Sequence, residues 1–163
     1  MTVLAWIQNL SLSMWIREST SLWAFPTFLF LHTLGMSMVA GGAAVMDLAV
    51  LGVWPNTPIK PLERLFPVLF WGFGINALTG AVMFIGVASS VGANADFYVK
   101  MAFVAAGFVL LFVMREKVFR DPRLDRTALP RSAKALAWAS LFCWFGAIVA
   151  GRLIAYTGLE AGQ

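Results

Sequence analysis

The sequence predicts an all-α fold: a four-helix transmembrane up-down bundle with an N-terminal interfacial amphipathic helix. Three observations carry that expectation. Charged residues make up 12% of the 163 residues, about half of the roughly 25% usual in a soluble domain. Hydrophobic residues make up 60% and the mean hydropathy is +0.80, which leaves too little polar surface to face water. The apolar residues are gathered into four runs of near-spanning length, parted by polar or proline-bearing connections.

Residues 1–20, "MTVLAWIQNLSLSMWIREST", are too polar to span. Val3, Leu4, Ile7, Leu10 and Met14 recur at helical spacing, with Trp6 and Trp15 as interface residues. An amphipathic helix on the outer membrane surface is expected. Ser19, Thr20 and Ser21 are offered as caps for the first span.

Residues 21–163 form the transmembrane domain, with spans expected at about 22–50, 65–89, 97–117 and 134–156. The first is overlong, so it should tilt, bend at Gly41-Gly42 or project beyond the bilayer. "GVWPNTPIKP" ends it. The second lies within an uncharged run from Leu65 to Ala95, and "VGANAD" leads to the third. The third and fourth reach spanning length if Lys100 and Arg152 lie at the membrane edge. Short connections place consecutive spans side by side.

The net charge of +4 reads as topology, not as nucleic-acid binding. Lys60, Arg64 and the segment Arg115–Lys134, with seven Lys/Arg, are expected in the cytoplasm. The "VGANAD" loop and both termini then lie outside a bacterial inner membrane. No positive charge precedes Arg17, so a cleavable signal peptide is not expected. Cys143 is the sole cysteine, so neither an internal disulfide nor a Cys-based metal site is expected. A Gly-rich phosphate loop, a nucleophile elbow and a paired-carboxylate site are all missing.

An ionisable group in a span is costly and marks a candidate site. His32, the only histidine, lies about ten residues into the first span, roughly 15 Å deep at 1.5 Å per residue. It shares a face with Met36, Ala43 and Asp47, at offsets of 4, 11 and 15. Gly35, one turn away, leaves a notch for a flat ligand. Gly72, Asn76, Thr79, Gly80 and Met83 form a small and polar stripe on the second span, with Asn76 and Thr79 at the depth of His32. Lys100 shares a face with Gly107, Leu111 and Met114, and Arg152 with Trp138, Phe142, Phe145, Val149 and Tyr156.

One imidazole at mid-depth beneath two cations suits a b-type haem. His32 would be its metal ligand, Met83 or Met101 a second, and Lys100 and Arg152 the partners of anionic propionates. The plainer alternatives stand beside this. His32 can hydrogen-bond across helices to Asn76 or Thr79, Lys100 and Arg152 can be interfacial anchors, and the glycines can serve close packing. Asp47 either pairs with a basic residue at the cytoplasmic edge or relays protons. The methionines are mostly packing, and the basic connection is a topology signal with anionic-lipid contact.

The runs "FLFLHTLGMSMVAGG", "MDLAVLG", "WGFGINALTG" and "FYVKMAFVAAG" resemble an uncharacterised bacterial family of small four-helix membrane proteins. The likeness covers residues 22–114, and the fourth span loosely. The pattern is more distantly similar to HemJ-type protoporphyrinogen oxidases and to the copper-resistance D membrane domain. The HemJ likeness implies a haem-binding four-helix protein, with His32 and Lys100 at the positions of its helix 1 histidine and helix 3 lysine. Met114 stands where the uncharacterised family often has a histidine.

These readings give three functional expectations. The first is a membrane b-type haem protein for electron transfer or porphyrin-linked redox chemistry, with a redox partner protein. The second is a non-enzymatic subunit or scaffold, a homo-oligomer associating through its Gly-rich faces. The third is a small transporter or channel with Asp47, Asn76 and His32 along its path.

Overall fold

The computed structural model describes residues 3–55, 57–121 and 129–160, the last three by backbone only. Residues 122–128 of the basic connection, and the extreme termini, lie outside the described residues. Among the described residues the chain is all-α, without a strand. Four helical stretches, Phe25–Leu51, Lys60–Gly86, Ala95–Phe119 and Arg131–Thr157, are long and apolar enough to cross a membrane. They fit a multi-pass membrane protein. Their outer faces agree, since Trp71, Leu78, Phe142 and Phe145 are 66–73% exposed, an apolar display that a soluble monomer rarely carries.

The N-terminal segment is two short helices, α1 (Val3–Gln8) and α2 (Ser11–Glu18), where one was expected. The chain breaks at Asn9, and Leu10 is extended. The break rotates the apolar stripe, so Ser13 and Ile16 turn inward while Leu10 and Met14 are exposed. Both helices dock on the end of the second long helix, and α1 also packs on the short α5 (Ala88–Gly92). The Gln8 side chain accepts from the backbone N–H and the hydroxyl of Ser89.

The first long helix, α3 (Phe25–Leu51), starts later than expected. Ser21 does not cap it; its Oγ accepts from the Trp23 N–H in the preceding turn, and the helix opens with Pro26 in its first turn, where a missing N–H costs nothing. Its irregularity is a π turn at Ser37–Gly41, not a bend at Gly41-Gly42. A π turn inserts one residue, rotating the remainder of the helix by roughly 100° from its unbroken course. His32 meets Asn76, and Asp47 lies beside Ser140. The first half of α3 packs on α4 (Lys60–Gly86) and the second half on α7 (Arg131–Glu160). Gly52, at φ +88°, ends α3 in the left-handed conformation that glycine adopts freely.

Helix α4 opens with a 3-10 segment, Lys60–Leu65, and stops at Val87. Asn94 caps α6 (Ala95–Phe119) by accepting from the Asp96 N–H at 2.8 Å. Helix α6 lies along α7 in the opposite direction, Lys100 meeting Gly151, Phe103 meeting Gly146 and Gly107 meeting Trp144. Between α4 and α6 the contact is made by rings: Phe73 stacks on Phe108 at 4.0 Å and Phe84 on Phe97 at 5.1 Å. The tightest core lies towards the Gly52 end, around Met46, Val50, Phe66, Leu69, Leu111 and Met114.

Candidate functional site

Helices α3 and α4 meet along a glycine seam. A Cβ on Gly35 would stand 2.7 Å from the Gly72 carbonyl oxygen and 2.8 Å from the Asn76 nitrogen. One on Gly72 would stand 2.7 Å from Met38 Cβ, and one on Gly42 2.6 Å from Leu69 Cδ1. Only glycine lets the two backbones come this close. The notch that Gly35 offered to a flat ligand is therefore filled by the backbone of α4. Gly35, Gly42 and Gly72, which the sequence offered for self-association, are used inside the chain.

The seam delivers His32 to Asn76. His32 Nδ1 lies 2.9 Å from the Asn76 carbonyl oxygen and 3.2 Å from Thr79 Oγ1. The Asn76 amide in turn donates to the His32 carbonyl at 2.8 Å. Each side chain thus grips the other residue's backbone. A carbonyl only accepts, so Nδ1 carries the proton. Thr79 is consistent with this, because its hydroxyl donates to the Ile75 carbonyl at 2.6 Å and has lone pairs left for Nδ1–H. In a neutral imidazole the unprotonated nitrogen is then Nε2, and no hydrogen bond engages Nε2 among the described residues. Gly80 makes room for the ring, since a Cβ there would stand 2.9 Å from His32 Cε1.

The other expected residues divide. Lys100 turns inward against Gly151, its Cε 3.6 Å from where a Cβ would be, and lies within electrostatic reach of His32. Met83 is half-buried, one turn beyond Gly80. Met101 is 46% exposed and faces outward, which removes it as a sulfur donor into the bundle. Arg152 is also exposed, on the outward stripe of Trp138, Phe142 and Phe145. The bundle thus turns one of the two cations inward, against Gly151, where both were expected to face His32. No group of three or more His, Cys, Asp or Glu suited to a metal ion occurs among the described residues. Haem asks less of the protein, because its macrocycle supplies four of the ligands.

A second polar cluster was only half visible in the sequence. Asp47 is 1% exposed and neither carboxylate oxygen has a hydrogen-bond partner. Ser140 Oγ stands beside it without meeting hydrogen-bond geometry, and Trp144 Nε1 is likewise buried and unpartnered. Asp47 was singled out as ionisable, but Ser140 and Trp144 read as ordinary span residues. At the Gly52 end, Arg120 Nη1 donates to Glu116 at 2.7 Å and Nε to Glu63 at 3.3 Å. Glu116 first, then Glu63, hold that guanidinium above its ordinary pKa.

Set against family models, curated proteins and solved structures, the chain matches none.

Proposed function

We propose that this chain is a bacterial inner-membrane protein, an up-down four-helix bundle with both termini outside. It holds haem b on His32 for electron transfer or porphyrin-linked redox chemistry. The observation that supports this reading is the state of His32. Its Nδ1–H is committed to the Asn76 carbonyl, which leaves Nε2 as a free lone pair. A metal-bound histidine commonly has this second hydrogen bond, which fixes the ring and strengthens the donor nitrogen.

The chain's own parts take distinct roles. Asn76 and Thr79 orient the imidazole, and the glycine seam holds the helix that carries them. Lys100 is placed to meet an anionic propionate, and Met83 is the remaining candidate for a thioether ligand. When bound, haem supplies a one-electron couple tuned by its axial ligands and surroundings. A redox partner protein completes the reading. The test is the absorption spectrum of the purified protein. A Soret band that disappears in His32→Ala supports the reading; a colourless wild type refutes it.

A second reading has an observation in its favour. The reciprocal His32–Asn76 bonds and the filled Gly35 notch suit a purely structural histidine in a non-enzymatic membrane subunit. That reading expects colourless protein, with His32→Ala costing about 1 kcal/mol.

A further inference from the structure

We propose that a groove at the Gly52 end of the bundle, lined by Lys60, Arg64 and Arg115, binds the phosphate of an anionic phospholipid. The inference rests on the membrane-spanning reading and is independent of haem. The groove has a volume of about 610 Å³, and three prolines and Glu63 complete its wall. Prolines at Pro58, Pro61 and Pro67 make the wall stiff and leave it without backbone donors at those positions. Recognition therefore falls to the side chains.

The charges in the groove are unbalanced. Lys60, Arg64 and Arg115 have no ion-pair partner among the described residues. The one carboxylate of the wall, Glu63, is engaged by Arg120 at 3.3 Å. Arg115 is also held in place. Its guanidinium carbon lies 5.6 Å from the Phe66 ring centre and 5.8 Å from that of Phe70. Its Nε is buried without an acceptor. A guanidinium fixed by rings and short of acceptors, beside two free cations, forms a receptor for a multiply charged oxyanion.

The surroundings select a lipid over free phosphate. Arg64, Val68, Trp71 and Leu78 fall on one face of α4, with Ile75 in the turn between the last two. Val68 is 43% exposed, and Trp71 and Leu78 are more exposed still. A headgroup on Arg64 would lay an acyl chain along these three side chains. The same end carries the excess Lys/Arg that marks the cytoplasmic side, where anionic lipids attract basic segments.

The test uses the full chain purified in neutral detergent, with native mass spectrometry of retained lipid. Dioleoyl phosphatidylglycerol and phosphatidylcholine are added in equal amounts. Membrane association is read first, because a chain recovered in the soluble fraction without detergent overturns the membrane reading and this proposal with it. Wild type is expected to retain phosphatidylglycerol about tenfold over phosphatidylcholine. Lys60→Gln/Arg64→Gln, both at exposed positions, is expected to lose that preference about tenfold, as is Arg115→Gln. Arg131→Gln/Lys134→Gln, outside the groove, is expected to keep it. Equal retention of the two lipids overturns the proposal. So does an equal loss in Arg131→Gln/Lys134→Gln, which would mean diffuse attraction, or displacement by millimolar inorganic phosphate, which would mean a free-anion site.

Discussion

Gly35→Ala adds one methyl group at the closest point of the α3–α4 seam. The added Cβ lies 2.7 Å from one backbone atom of α4 and 2.8 Å from another. Neither can rotate away, so the helices must part by about 0.7 Å to reach an ordinary contact of 3.4 Å. The interhelical bonds next to it, at 2.8 and 2.9 Å, then stretch to or beyond 3.5 Å. Polar bonds between membrane helices average about 0.6 kcal/mol and reach about 1.7. Losing two, with some packing, predicts a destabilisation of about 2 kcal/mol. The assay is unfolding by sodium dodecyl sulfate in mixed micelles, read by circular dichroism. Gly74→Ala is the matched control, because a Cβ there meets nothing within 4 Å. It should be neutral or stabilising by up to about 1 kcal/mol, since alanine favours helix over glycine. If Gly35→Ala proves no more destabilising than Gly74→Ala, the close-packed seam is wrong.

Other perturbations probe the remaining contacts. Gly146→Ala brings a Cβ within 2.8 Å of the Phe103 ring, a side chain that can turn, so in the same assay it should cost less than Gly35→Ala. Asp47→Asn removes a buried carboxylate without a hydrogen-bond partner, so its stability should be unchanged or higher by about 1 kcal/mol; a loss above about 3 kcal/mol would mean that the carboxylate is paired. In a Cys143→Ser background, a membrane-impermeant maleimide on whole cells with a permeabilised outer membrane should label Ala93→Cys and spare Lys134→Cys. The opposite pattern would reverse the proposed orientation.

Much of the fold was legible because the bilayer imposes a length. The ends of the four long helices fall within five residues of the four expected spans, since few other structures accommodate apolar runs of that length. What the sequence hid was phase. Nothing in "MSMVAGG" announces a π turn, and nothing in the spacing says that His32 meets α4 while Asp47 lies beside Ser140 of α7. The same blindness affected α2, where a break at Asn9 moved Ser13 and Ile16 to the inside.

At the site, the matching depths of His32, Asn76 and Thr79 came from span ends and a fixed rise per residue. The partner atom could not be read that way. His32 reaches the backbone carbonyl of Asn76, not its amide, because two glycines bring the backbones into contact. Lys100 and Arg152 looked equivalent by depth, yet one faces Gly151 and the other the outer stripe of α7. Depth is readable from hydropathy, whereas facing depends on which helices become neighbours.

The central claim is that His32 Nε2 ligates haem iron, and imidazole rescue of His32→Gly tests it most directly. The variant removes the ligand and opens a space of its size. The account predicts that His32→Gly is purified without the wild-type Soret spectrum, and that imidazole with added haem restores it. A wild type lacking a Soret band, or a variant whose spectrum equals that of wild type without imidazole, would contradict the account and leave His32 as a bond between two helices.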